Sequence, residues 1–221
     1  MNTMPAEVRA RVERATVRLA GRRGLGVLVP DGVIVTAAHL LERKPIRGRR
    51  GGWSDCGMIE AGRAMFRAGV RAIDTKLNIA VLTGPDGYDA AAFANFCDST
   101  VPVSLYTDDI PHDEKTRLYG IPDDATSIEI AGHVLTHNNG WLGAHVQHIG
   151  REDSPFHFVT TAVPVDGGTS GGPVIADDGR LLGVISYLDR GRNDFTITRV
   201  HLAAPVCFVD WMRSRVYKKG A

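Results

Sequence analysis

The chain has 221 residues, 43% hydrophobic and 23% charged, a balance that supports one large or two small cores and excludes a disordered chain. Its 26 Lys and Arg against 25 Asp and Glu leave a formal charge of +1, so no overall field draws it toward nucleic acid or an anionic membrane. We expect neither a nucleic-acid partner nor a membrane partner.

At the amino terminus, MNTMPAEVRARVERATVRLAG scatters arginines through the stretch and has no apolar core of signal-peptide length. Val8, Val12 and Ala15 fall at i, i+4 and i+7, which predicts a short amphipathic helix ahead of the first strand. The segments that follow are short, β-branched and broken by Gly, Pro or Asp: ATVRLAG, GLGVLVP, GVIVTAA, NIAVLTG, VPVSLY, TRLYGI, FHFVTTAV, GPVIAD and LLGVISY. That is the rhythm of sandwiches and barrels. Between them RKPIRGRR, Arg43 to Arg50, carries five cations in eight residues and reads as a solvated loop. The stretch TGPDGYDAAAFANFCDST, Thr83 to Thr100, interrupts the strand rhythm. It reads as the crossing between two β domains, 1–95 and 96–221.

His145 and His148 in AHVQH stand three apart with no third ligand in the segment. Cys56, Cys97 and Cys207 are widely spaced, odd in number and without metal-ligand pairing. No metal, cofactor or disulfide framework is expected, and a reducing, cytoplasmic location fits best. The ending PVCFVDWMRSRVYKK predicts a helix, with Val206, Phe208, Val209, Met212 and Val216 on one apolar face.

Three segments carry chemistry. GTSGGPV, Gly168 to Val174, sets small residues on both sides of Ser170, so the backbone can turn sharply and present the hydroxyl outward. The N–H groups of Gly168 and Ser170 can then point into one concavity, as an oxyanion hole requires. VIVTAAHLL, Val33 to Leu41, runs a strand into a small-residue turn ending in His39, a general base for a serine that the fold would bring to it. DTKLNIAVL, Asp74 to Leu82, is a strand entry with polar Asn78 immediately before the apolar run.

In this order TAAH, an NIAVL strand and GTSGGP resemble the trypsin-like serine peptidases. TRLYGIP resembles the strand early in the second barrel of the HtrA-type bacterial members, GRLLGVIS resembles the substrate-binding strand, and VCFVDWM resembles the terminal helix of trypsins. No PDZ-like extension is expected after that helix. The resemblance implies an all-β, chymotrypsin-like fold of two six-stranded antiparallel barrels, with a short N-terminal helix, a C-terminal helix and the active site between the barrels. It places His39 as general base, Ser170 as nucleophile, and Gly168 with Ser170 as oxyanion donors. It makes Ser186 the serine whose hydroxyl braces the third triad member. The backbone of Ser186, Tyr187 and Leu188 would pair with an extended peptide or protein substrate.

Three departures from the family are informative. Thr169 stands where trypsins carry the acid that pairs with a newly cut amino terminus, which implies no trypsin-type zymogen step. Leu188 replaces a small pocket residue and Pro164 a charged selector, with Asp166 nearby, which implies small aliphatic specificity. Asn78 occupies the place of the triad aspartate. The nearest acid, Asp74, lies four residues earlier, about 13 Å along a continuous strand. The expectation is a serine endopeptidase attenuated by Asn78, and control by an activating protein partner would suit it. The alternative is an inactive pseudo-peptidase that serves as a binding or regulatory module.

Overall fold

Three apolar runs set the frame of the first half. LGVLV, VIVTA and IAVLT are buried at every position except Thr83, as strands covered on both faces must be. The computed structural model describes residues 4–43, 51–75, 78–84, 87, 89–106, 126–138, 140–150, 156–161, 165, 167–188 and 200–203. A helix, α1 (Ala6–Ala15), buries Val12 and Ala15 and packs Val8 against the core, as its periodicity predicts.

Strands β1 (Thr16–Leu19), β2 (Leu25–Val29), β3 (Val33–Ala37), β4 (Glu42–Arg43), β5 (Gly52–Trp53), β6 (Cys56–Ala61), β7 (Ala64–Asp74) and β8 (Ile79–Thr83) follow. After them come α2 (Asp89–Ser99) and then β9 (Thr126–Leu135), β10 (Trp141–Gly150), β11 (Phe156–Thr161), β12 (Pro173–Ala176), β13 (Leu181–Leu188) and β14 (Val200–Ala203). The first barrel closes in the order β1-β2-β3-β8-β7-β6 and the second in the order β10-β11-β14-β13-β12-β9; β4 and β5 form a separate ribbon. Both barrels have six antiparallel strands, as the resemblance implied. The expected C-terminal helix and the RKPIRGRR run beyond Arg43 lie outside the described residues.

The stretch that broke the strand rhythm contains α2. Its Phe93 and Phe96 bury against Phe66 of β7, with ring centroids 5.8 Å and 5.5 Å away, so a division between residues 95 and 96 would cut a helix that belongs to the first core. The segment after it is stitched to both barrels. Val103 N–H donates to Leu28 O at 2.9 Å, Leu181 N–H to Ser104 O at 2.8 Å and Tyr106 N–H to Leu181 O at 3.0 Å. Ile175, Leu181 and Val184 of the second barrel pack into the same apolar cluster as the first, so the cleft floor is continuous core.

The barrels meet most closely at Gly171. Its φ is +78°, and a Cβ there would lie 2.0 Å from the Leu25 carbonyl oxygen and 2.5 Å from Thr36 Oγ1. Left-handed backbone costs a non-glycine residue about 1–2 kcal/mol, and forced overlap adds about 1–3 kcal/mol. Gly171→Ala should therefore lower stability in urea denaturation by about 2–5 kcal/mol. Gly62→Ala, at φ +59° with nothing within 4 Å, should cost only the backbone part. Equal losses at the two positions would show that the barrels do not touch at Gly171.

Candidate active site

His39 sits in a 3-10 turn, Ala38–Leu41, that continues directly from β3. Ala38, Leu40 and Leu41 bury in the first core and leave His39 half-exposed at the cleft. Asn78 has φ +54°, a left-handed conformation that Asn tolerates better than most residues. That turn aims its backbone oxygen at Ala38 N–H (2.9 Å) and its side-chain Oδ1 at His39 N–H (2.9 Å). One residue thus clamps the histidine turn twice.

The rest of the carboxamide decides the histidine's state. Asn78 Nδ2 donates to the Ser186 carbonyl oxygen at 2.7 Å and lies 2.9 Å from His39 Nδ1, whereas Oδ1 is 3.3 Å from that ring nitrogen. A backbone N–H can only donate and a backbone carbonyl can only accept, so the amide has one orientation. Its NH2 therefore faces Nδ1, which must accept, and the neutral ring carries its proton on Nε2. Ser186 thus meets Asn78 through its backbone carbonyl. An aspartate in this place would need a donor; asparagine presents one, and the Ser186 carbonyl receives it.

Asp74 is not four residues along one continuous strand. The chain reverses between β7 and β8, and Asp74 is paired with Ile79. The ring of His39 nonetheless meets Asn78.

Around Ser170 the backbone turns at Gly168 (φ +104°) and Gly171, and the residue itself is half-exposed. Ser170 O accepts Leu25 N–H at 2.8 Å, Gly171 N–H donates to Ile185 O at 2.6 Å and Gly172 N–H to Thr169 O at 2.7 Å. Thr36, three residues before His39, donates its hydroxyl to Leu25 O at 2.6 Å, so both turns are anchored on the same strand pair. Among the described residues no hydrogen bond joins Ser170 Oγ to His39, and the N–H groups of Gly168 and Ser170 have no acceptor.

Thr169 is buried, and its Oγ1 accepts the His137 N–H at 3.1 Å. The ring of His137 lies over Gly168, close enough that a Cβ there would stand 3.1 Å from it. Nothing in the sequence motifs marked His137, since its role depends on a fold contact between distant turns. At the other side of the cleft, β13 bulges between Ile185 and Tyr187, which leaves Ser186 as the extra residue. Tyr187 and Leu188 pair with Leu202 and His201 of β14, while the described ladder to β12 ends at Val184. Tyr187 and Leu188 thus lie beyond the described pairing of β13 with β12. Pro164 and Asp166 lie outside the described residues. Among the described residues no group of three or more His, Cys, Asp or Glu is arranged to hold a metal ion, and no helix is long and apolar enough to cross a membrane.

The family model for the trypsin-like peptidase domain matches residues 24–184. Serine protease HTRA4 of Homo sapiens is 27% identical over 166 residues, which cover 74% of this chain and 30% of that protein. The serine protease HTR4 of Rattus norvegicus is 27% identical over 167 residues, or 73% of this chain and 28% of that protein. The match thus spans under a third of the length of these curated relatives. Among solved structures, an inactive-form serine-to-alanine mutant of Rv3671c from M. tuberculosis superposes with a TM-score of 0.59 at 14% identity, covering 99% of this chain and 94% of that one. The serine protease of a human pathogenic astrovirus gives a TM-score of 0.50 at 18% identity, over 87% of this chain and 90% of that one. At these identities the structural likeness is one of fold.

The amide orientation can be tested directly. Nitrogen NMR of the neutral His39 ring should find the proton on Nε2, and Asn78→Asp should move it to Nδ1. A neutral ring protonated at Nδ1 in the unmodified chain would contradict the orientation of the Asn78 amide.

Proposed function

The chain belongs to the trypsin-like peptidase family, and we propose that it is a serine endopeptidase acting through Ser170 and His39, with turnover held down by Asn78. The Ser170 hydroxyl attacks a peptide carbonyl carbon while His39 Nε2 takes its proton. The oxyanion so formed is held by the N–H groups of Gly168 and Ser170, and the imidazolium returns the proton to the leaving amine. Water then hydrolyses the acyl-enzyme by the same relay. An extended peptide or protein substrate would add as a strand along Ser186, Tyr187 and Leu188.

The observation that carries this reading is the contact set of Asn78. The residue stands in the third-member position with its oxygen on His39 N–H, yet it offers NH2 to the ring. In that tautomer Nε2 holds a proton already, so only the minor fraction of rings protonated at Nδ1 can take the one from serine. An amide also supplies no negative charge to stabilise the imidazolium. The same exchange in a serine peptidase triad costs about 10⁴ in turnover, roughly 5 kcal/mol of transition-state stabilisation. Donors kept open at Gly168 and Ser170 have no use in a cleft that only binds, and they favour residual catalysis over none.

A second reading, a pseudo-peptidase that binds without turnover, is favoured by the same Asn78 amide together with the missing Ser170–His39 hydrogen bond among the described residues. A fluorophosphonate separates the two. We expect slow modification of Ser170, abolished by Ser170→Ala and by His39→Ala. Asn78→Asp should raise the labelling rate about 10²-fold near neutral pH. The full 10⁴ is not expected, because a carboxylate must turn away from the Ser186 carbonyl, which is now 2.7 Å from Asn78 Nδ2. No labelling in either form would favour the binding module, and equal labelling of Ser170→Ala would remove Ser170 as nucleophile.

A further inference from the structure

Thr169 sits where trypsins use a buried ion pair to hold the oxyanion turn, so something else must hold it here. Its hydroxyl accepts the His137 N–H, and the His137 ring covers Gly168. His137 belongs to the tight connection between β9 and β10. Thr136 closes that connection by donating both its N–H (2.8 Å) and its hydroxyl (2.9 Å) to Gly140 O. The next residue is Trp141. Its indole packs against the first-barrel core cluster, and its Nε1–H donates to Glu13 Oε1 of α1 at 2.7 Å.

Helix α1 is itself held to the second barrel at an independent point. Arg11 Nη2 reaches Gly179 O at 3.4 Å, and a Cβ on Gly179 would stand 2.5 Å from Val8 Cγ1. The helix is therefore seated on two turns of the second barrel while Val12 and Ala15 bury in the first-barrel core.

We propose that Glu13 and Trp141 are positioning residues for the oxyanion turn. By seating on α1, Trp141 fixes the β9–β10 connection, which fixes His137, which fixes Thr169 and with it the Gly168 and Ser170 donors. The chain of contacts runs from a helix on the far side of the seam to the reacting centre, and each link is a hydrogen bond or a direct packing contact. This inference rests on the peptidase reading for its catalytic consequence but not for its structural one.

Two readouts keep the two apart. In fluorophosphonate labelling, Glu13→Ala and Trp141→Phe should each lower the maximal rate about 3- to 10-fold, the scale of one hydrogen bond, with the probe's half-saturating concentration unchanged and the thermal midpoint lowered by only about 2–4 °C. The double variant should be no slower than either single one, since both remove the same bond. Glu13→Gln, whose amide oxygen still accepts the indole N–H, should stay within about twofold of the unmodified chain. In parallel, hydrogen exchange of the His137 and Gly172 amides should quicken by a similar factor in Glu13→Ala and Trp141→Phe. Unchanged exchange at those amides, or rate losses that multiply in the double variant, would overturn the relay. If the unmodified chain takes no probe while exchange quickens in the variants, the relay stands and the peptidase reading falls.

Discussion

One carboxamide spans the two barrels at the point where the chemistry is decided. Asn78 gives its oxygen to the His39 backbone on its own barrel and its nitrogen to the Ser186 carbonyl on the other, with the His39 ring between them. Turning the amide over would set NH2 against N–H and oxygen against oxygen. Leaving two such groups unmet costs about 1–3 kcal/mol each, so the reversed amide is populated to about 3% at most. Which nitrogen of the neutral His39 ring holds the proton follows from that preference.

The seam on which this carboxamide sits is built by several independent ties. Apolar side chains from β12 and β13 enter the first core, the segment at Val103 to Tyr106 bonds to both barrels, and Gly171 brings two backbones together with no side chain between them. Each tie is short-range and directional, and together they leave the His39 and Ser170 turns little relative freedom. Site geometry here is a property of the seam more than of either barrel.

Much of the fold could be read from the sequence because it is written in local pattern. β-Branched runs punctuated by Gly and Pro give short strands, Val8, Val12 and Ala15 give a helix face, and GTSGGPV gives a tight turn. The order of TAAH, NIAVL and GTSGGP carried the barrel topology. What escaped was set by contacts between residues far apart in the chain. Asp74 was measured along a straight strand where the chain reverses into a hairpin. The contact of the Asn78 amide with the Ser186 carbonyl depends on a bulge in β13 that leaves Ser186 out of the β14 register. Helix α2 hid inside a stretch whose Gly and Pro suggested only a crossing, because Phe93 and Phe96 gain their helical face from the first barrel. His137 carried no motif at all.

The left-handed backbone at Asn78 bears on how such a site can change over generations. Few side chains tolerate that conformation, and asparagine and aspartate are foremost among those that do, with nearly identical volume. Exchange between them keeps the left-handed turn, but a carboxylate gives the Ser186 carbonyl no donor, so it costs about 1–3 kcal/mol at that one contact. On the proposed reading, position 78 is a place where activity can change by orders of magnitude at a small cost in folding. A quiet member of such a family and a vigorous one can differ in little more than a single functional group.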